Sequence, residues 1–315
     1  MEPFLLLILI LITVTALTAL KRLRDKLHLR NCKLWLHGKR VLVTGASNGI
    51  GEEVSKFCAR CGAHVILAAR RPDKLASTKA ECESLGAGSV ECVPCDVQDY
   101  KSCLELAAKA TSTAPLDMIV LNAGVSMDFS FSETTLEGYS RLMQTNFFGP
   151  FWIAQKTLPS LVQSKGRIVL VSSTSAWLPR QRRALYSSSK AAATSLFENV
   201  RTEVAADGVS VTIAYPGFVG GTELAKGVSR LDCNGNSLLV AEGTAEAAEK
   251  ASSKGWRKIL PGIMASDCAQ DVVVSAYLRR RDVVIPRWYS VINVFRALLP
   301  SVYYSVVSKR KVKSD

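Results

Sequence analysis

Residues 40–54 read RVLVTGASNGIGEEV, an apolar β-branched run that ends in a turn carrying Gly45, Gly49 and Gly51 and passes into a segment of helical composition. A strand feeding a glycine-rich turn and then a helix is a phosphate-binding arrangement. The free N–H groups and positive dipole end of a helix N-terminus suit a pyrophosphate, and glycines let the backbone turn tightly and approach the phosphates without a Cβ in the way. The spacing is GxxxGxG, not the GxGxxG of the common dinucleotide turn, so its position between strand and helix carries the inference.

Working outward, the same alternation repeats. Apolar, β-rich runs occupy 40–45, 64–69, 90–95, 117–124, 166–173 and 209–217, with a shorter one at 282–286. Helix-period segments fall at 49–61, 72–84, 99–113, 134–163, 185–206 and 266–280. Strands apolar on both faces, alternating with helices, predict an α/β fold: a doubly wound, Rossmann-type parallel sheet with helices on both faces. The stretch 218–262, rich in Gly, Ser, Ala and charge, is expected to form a substrate lid over the C-terminal edge of that sheet.

The 315 residues carry a net charge of +13, concentrated at the two ends. Residues 21–40 hold eight basic side chains and one acid, residues 279–315 nine and two, and the span 41–278 is neutral. That distribution argues against a nucleic-acid-reading surface and for a membrane surface. Residues 4–20, FLLLILILITVTALTAL, are an apolar run at the short edge of a spanning helix. The preceding residues hold no Lys or Arg, no small-x-small cleavage site is evident, and Lys21, Arg22, Arg24 and Lys26 follow the run. An uncleaved single-pass anchor with a cytosolic body, most simply on the endoplasmic reticulum, is expected. The expected organisation is therefore an anchor and basic linker at 1–37, a catalytic domain at 38–287 and an amphipathic, basic, membrane-associated tail at 288–315. Nine cysteines, odd in number and without a disulfide framework, suit a reducing compartment. The two CxxC pairs, Cys58/Cys61 and Cys92/Cys95, are too far apart for a zinc ribbon and fall within regular elements, so no metal site is expected.

Six motifs in order, TGASNGIG (44–51), LNAG (121–124), Asn146, Ser173, Tyr186-x-x-x-Lys190 and Tyr215-Pro216-Gly217, resemble the short-chain dehydrogenase/reductase superfamily over about residues 38–220. With its anchor and tail the chain is also similar to the membrane-anchored dehydrogenase/reductase member 7 group, to 3-ketodihydrosphingosine reductases and to 11β-hydroxysteroid dehydrogenases. Leu121, where the superfamily pattern has asparagine, and Thr222, one position later than usual after the Pro-Gly pair, are departures. The resemblance implies a cofactor site at Gly45, Ser47, Asn48, Gly49, Ile50, Gly51, Asn122, Ala123, Gly124, Pro216, Gly217 and Val219. Asp96 and Val97 are implied at the adenine, and Tyr186 and Lys190 at the nicotinamide ribose. At the end of the second strand Ala69 stands where an acid would repel a 2′-phosphate, and Arg70 and Arg71 follow. Guanidinium groups pair well with phosphate, so NADP(H) is expected, with Arg70 the chief contact.

Tyr186 and Lys190, four apart on a helix, share a face. A phenol of ordinary pKa about 10 is a weak acid near neutrality, and a neighbouring ammonium is expected to lower it. Tyr186 is thus the expected general acid/base, with Lys190 setting its acidity; the resemblance implies Ser173 at the substrate oxygen and Asn146 holding a relay water. The rival S-x-x-K reading of Ser187–Lys190 lacks its accompanying motifs and leaves the glycine-rich turn unexplained. A silent cofactor-binding scaffold is the alternative for a chain with this complete set. TSAWLPRQRRAL (174–185) borders the substrate mouth in such a fold; its Arg180, Arg182 and Arg183 read first as a solvated basic loop, the sharper alternative being that they attract an anionic head group while Trp177 and Leu178 face an acyl or sterol body. The resemblance implies a lipophilic carbonyl or alcohol substrate: a steroid, a retinoid, a 3-ketosphinganine or an acyl-dihydroxyacetone phosphate. Membrane lipid is the other expected partner, and a homodimer through the helix carrying Tyr186 is implied by the resemblance alone.

Overall fold

A computed structural model of the chain describes residues 2–226, 230–237 and 262–308, the side chains of 2–12, 14, 16, 226 and 308 excepted. Seven strands, β1 (Arg40–Thr44), β2 (His64–Ala69), β3 (Ser89–Pro94), β4 (Met118–Leu121), β5 (Arg167–Val171), β6 (Ser210–Pro216) and β7 (Asp282–Ile285), form one sheet in the order β7-β6-β5-β4-β1-β2-β3. Every pairing is parallel. The strand order reverses beside β1, where the chain crosses from one face of the sheet to the other. That switch point leaves a crevice at the strands' carboxyl ends. The register Val43↔Val120, Thr44↔Ala68, Leu121↔Leu170 and Val171↔Ala214 sets the five central strand ends side by side at its rim.

Burial on both faces explains the unbroken apolar composition of the strands. On one face Val41, Val43, Val65 and Leu67 pack with α2 (Gly49–Ala59), α3 (Pro72–Ser84) and α8 (Ala265–Tyr277). On the other, Leu42, Ile66, Ile119 and Leu170 meet α4 (Tyr100–Thr111), α6 (Gly149–Ser164) and α7 (Ala184–Glu203). Helix starts follow local chemistry. Asp99 caps α4 by accepting from Lys101 N and Ser102 N at 3.1 and 3.3 Å, and Pro72 opens α3, where its missing N–H costs nothing.

The long helix expected over 134–163 is instead three pieces: α5 (Leu136–Met143), a π turn at Gln144–Phe148, and α6. Pro150 has no N–H for an α-type bond, and Gly149 N–H reaches back to Gln144 O, so the turn widens by one residue.

The N-terminal segment is one helix, α1 (Glu2–Leu36), and its last turns belong to the body rather than to a linker. Cys32 and Leu36 are fully buried, Trp35 packs on Tyr277 at 5.9 Å, and the Arg167 guanidinium lies 3.8 Å above the Trp35 ring. Earlier on the same helix Leu17, Leu20, Leu23 and Leu27 are exposed. Among the described residues no single helix is long and apolar enough to cross a membrane. The pair α9 (Tyr289–Leu298) and α10 (Pro300–Ser308), bent by 117°, passes together by length and composition. Of the expected lid at 218–262, residues 227–229 and 238–261 lie outside the described residues, as do the terminal basic residues 309–313.

Candidate active site

The crevice holds a cleft of about 530 Å³ that runs from Arg70 and Asp96 at one end to Leu231 and Tyr289 at the other. Its first wall is the glycine-rich turn. Gly45 and Gly49 sit at φ +65° and +60°, the left-handed region that glycine tolerates at low cost. A Cβ on Gly51 would fall on Asn122 Nδ2 and Gly45 O, so Gly51 is a close-packing position under the turn and lines no part of the cleft. Thr44 and Asn122 bind the ends of β1 and β4 together. Thr44 Oγ1 accepts from Asn122 N and Ala123 N at 3.0 and 3.1 Å, and Asn122 Nδ2 donates to Thr44 O and Gly45 O at 3.0 and 3.2 Å. Ser47, Asn48, Gly49 and Ile50 at the start of α2 face the cleft, as do Ala123 and Gly124.

At the far end of this wall Arg70 is exposed on the rim, with Val97 and Asp96 opposite. The Asp96 carboxylate accepts from Gln98 N at 3.0 Å. Arg71, by contrast, is held within the protein: it pairs with Glu223 at 2.9 Å and donates weakly to Ser47 Oγ at 3.4 Å. Glu223 N in turn donates to Asn48 Oδ1 at 2.9 Å, so the segment after Pro216-Gly217 closes onto the glycine-rich turn. Pro216, Gly217 and Val219 line the cleft, and Thr222 lies against Gly49, where a Cβ would meet its methyl at 3.0 Å.

The hydroxyl cluster converges on the middle of the cleft. Ser173, just past β5, accepts from Ser175 N at 3.1 Å and shares a hydrogen bond with the Tyr186 hydroxyl. Ser172 points to the other face, onto Thr194 at 2.8 Å, as the two-residue strand period requires. Tyr186 and Lys190 are both buried and both line the cleft. Burial pushes the Tyr186 phenol above its ordinary pKa, against the pull of the Arg183 guanidinium and the Ser173 hydrogen bond. Arg183 also stands beside the phenol, its guanidinium carbon 5.4 Å from the Tyr186 ring centroid. Lys190 Nζ donates to Val171 O at 2.9 Å, and burial lowers its pKa to about 8.

Asn146 is buried behind this group and is not on the cleft wall. The π turn aims its amide at the strand end, where Oδ1 accepts from Val125 N and Nδ2 donates to Val125 O and Ser189 Oγ, each at 3.0 Å. Both amide donors are thus engaged, and only an Oδ1 lone pair is left for a relay water. A Cβ on Gly124 would lie 3.3 Å from both Asn146 Oδ1 and Lys190 Nζ, so the bare backbone there keeps the path between them open. Ser189 is a brace as well as a small residue, because its hydroxyl also donates to Tyr186 O at 2.8 Å.

The substrate end departs most from expectation. Trp177 does not line the cleft; it packs edge-on to Tyr215 at 6.1 Å, and Leu178 takes its place on the wall. Arg182 adopts φ +61° and turns away to Glu133 and Asp128 O, whereas Arg180 and Arg183 do face the cleft. Three further wall residues carried no sequence signal. Arg230 arrives on a two-residue strand paired with Ser126–Met127, Phe218 follows the Pro-Gly pair, and Tyr289 comes from the start of α9. Tyr289 packs so closely on Gly217 that any Cβ there would overlap its ring.

A family model described as short chain dehydrogenase matches residues 39–231. An 11-beta-hydroxysteroid dehydrogenase A of Arachis hypogaea is 32% identical over 267 residues, covering 84% of this chain and 73% of that protein. An 11-beta-hydroxysteroid dehydrogenase-like 4A of Arabidopsis thaliana is 31% identical, covering 88% and 87%. A crystal structure of a short-chain type dehydrogenase/reductase from Mycobacterium marinum superposes with a TM-score of 0.67 at 27% identity, covering 81% of this chain and 96% of that one. An archaeal alcohol dehydrogenase from Thermococcus sibiricus complexed with 5-hydroxy-NADP, at 23% identity and a TM-score of 0.65, covers 79% of this chain and 96% of that one and shares the fold. With the glycine-rich turn and the Ser-Tyr-Lys group built on this sheet within the matched span, the chain belongs to the short-chain dehydrogenase/reductase family.

Proposed function

We propose that the protein is an NADP(H)-dependent oxidoreductase that interconverts a lipophilic ketone or aldehyde with its alcohol at a membrane surface. The observation that carries the reading is the convergence of Ser173, Tyr186 and Lys190 on a cleft whose other wall is a glycine cradle closed to any Cβ. That cradle fits a dinucleotide: the start of α2 faces it, Gly124 leaves room beside Lys190, and Arg70 stands on the rim with no acid at position 69. Gly45, Ser47, Asn48, Gly49 and Ile50 would hold the pyrophosphate, Asp96 and Val97 the adenine, Arg70 a 2′-phosphate, and Tyr186 and Lys190 the nicotinamide ribose. When bound, the nicotinamide supplies or accepts the hydride.

The remaining steps belong to the chain. Ser173 orients the carbonyl oxygen by hydrogen bonding, and Tyr186 gives it a proton at the phenol oxygen in reduction or removes one in oxidation. Lys190 and Asn146, on either side of Gly124, are placed to return the proton. The apolar lining by Val125, Leu178, Phe218, Leu224 and Leu231 suits a lipophilic body. The exposed apolar residues of α9 and α10, including Val291, Leu298 and Val302, together with the apolar run at 4–20, support membrane association.

Tyr186→Phe in the detergent-solubilised full chain tests the enzyme reading. NADPH consumption across steroid, retinal, sphingoid-ketone and acyl-ketone substrates should vanish while NADPH binding persists. Unchanged residual behaviour in the two proteins, with binding but no turnover by either, would favour the silent scaffold.

A further inference from the structure

We propose that Arg183 and Arg230 form an anion subsite beside Tyr186, so that the preferred carbonyl substrate is an amphiphile with a carboxylate or phosphate head group near its carbonyl. The inference rests on the oxidoreductase reading above and specifies its substrate class. Arg183 precedes α7, and Arg230 is brought opposite Ser126 by the short strand pairing. Both residues thus line the cleft, Arg183 beside Tyr186. Among the described residues one carboxylate serves the pair: Asp128 lies 3.5 Å from Arg183 Nη2, and its charge also acts on Arg230. Within those residues two cations on a partly buried wall meet one anion, an excess of positive charge beside the tyrosine.

The Nε of Arg230 is buried and has no hydrogen-bond partner among the described residues. An unsatisfied guanidinium N–H out of water is unfavourable, and the planar fork of arginine matches the paired oxygens of a carboxylate or phosphate. Burial and the neighbouring Arg183 both weaken the hold of Arg230 on its proton, the response expected of a cation set on this wall without its full complement of anions. The head group would sit close to the reacting centre, because Arg183 is 5.4 Å from the Tyr186 ring centroid. Leu178, Leu224 and Leu231 then receive the apolar remainder.

The test compares three probes on the solubilised full chain with NADPH: a long-chain γ-keto carboxylate, its methyl ester, and the matching γ-keto alkyl phosphate. We expect kcat/KM for the carboxylate or the phosphate to exceed that for the ester by at least about tenfold, the charge-assisted hydrogen bond being what the ester lacks. The better of the two identifies the head group. Arg230→Gln should collapse the difference between the anionic probe and the ester, the larger loss falling on the anionic probe. Arg230→Lys should restore part of the difference, and salt should erode it in the native chain. Equal handling of acid, phosphate and ester, or an Arg230→Gln loss shared by all three, would overturn the subsite. Binding of the three probes to Tyr186→Phe, followed by tryptophan fluorescence, separates this failure from that of the enzyme reading. Anion-selective binding without turnover in the native chain upholds the subsite and sinks the reaction; turnover without selectivity does the reverse.

Discussion

The two ends of the cleft are built by different means. The cofactor end is made of backbone: the turn at 45–51, the strand ends beside it, and Thr44 and Asn122 bonding them together within a short span of sheet. The substrate end is made of side chains delivered from four separated segments, at Arg183, Phe218, Arg230 and Tyr289. Backbone sites tolerate little change because a Cβ there either demands a left-handed φ, as at Gly45, or meets closely packed atoms, as at Gly51. Side-chain sites can be re-specified by changing one residue without disturbing the sheet.

That contrast can be broken at its junction first, where Tyr186 and Lys190 stand between the two ends. Tyr186→Phe is expected to lower turnover by about 10²–10⁴-fold, the usual worth of a positioned general acid, with little change in melting temperature. Initial rates and thermal melts on one preparation check both halves of the expectation.

Lys190 offers a pH test of burial. Its folded pKa of about 8 lies below the ordinary 10.5, so the unfolded chain binds more protons between those values and stability must rise with pH across that window. The full effect is about 3 kcal/mol at 1.36 kcal/mol per unit. Thermal melts from pH 7 to 10.5 should show native stability climbing relative to Lys190→Met, in which this contribution is absent. Parallel curves would mean that Lys190 is solvated rather than buried.

At the backbone-built end, Gly51→Ala places a methyl on Asn122 Nδ2 and Gly45 O. A destabilisation of about 1–3 kcal/mol is expected from the overpacking, with weakened dinucleotide binding as the turn is pushed outward. Denaturant titration and cofactor binding measured together would detect it. The smallest effect belongs to the contact that joins the cofactor wall to the segment above it. Glu223→Gln removes the carboxylate paired with Arg71 and leaves that guanidinium to a 2′-phosphate. The expected gain in NADPH affinity is a few-fold at most, since Glu223 N still holds Asn48, and NADH affinity should not move. A gain shared by both cofactors would point to loop opening rather than charge.

The parts that were legible in the sequence are those in which a few adjacent residues decide the geometry. Gly45, Gly49 and Gly51 announce a tight turn because no other residue fits it. Tyr186 and Lys190 share a helix face by spacing alone, and Ser172 and Ser173 divide between two faces by the strand period. The π turn at 144–148 was hidden: one added residue leaves apolar periodicity nearly intact, and only Gly149-Pro150 hinted at the interruption. Trp177 was assigned to the wrong surface because a short irregular segment has no period from which a direction can be taken. Arg182 and Arg183 are adjacent and alike in chemistry, yet Arg182, with a left-handed backbone, reaches Glu133 and the Asp128 carbonyl, while Arg183 takes the Asp128 carboxylate and faces the cleft.

The order of strands and helices, the dinucleotide turn and the Tyr-Lys pair were therefore determined by the sequence by itself, since each follows from propensity and spacing over less than one supersecondary unit. Which cation faces Tyr186, which arginines meet at the substrate wall and how the C-terminal segment enters the cleft were decided by the tertiary structure. Those contacts join residues far apart in the chain, and their geometry is set by the register of the sheet and the packing of α7 and α9 upon it, which no local pattern encodes.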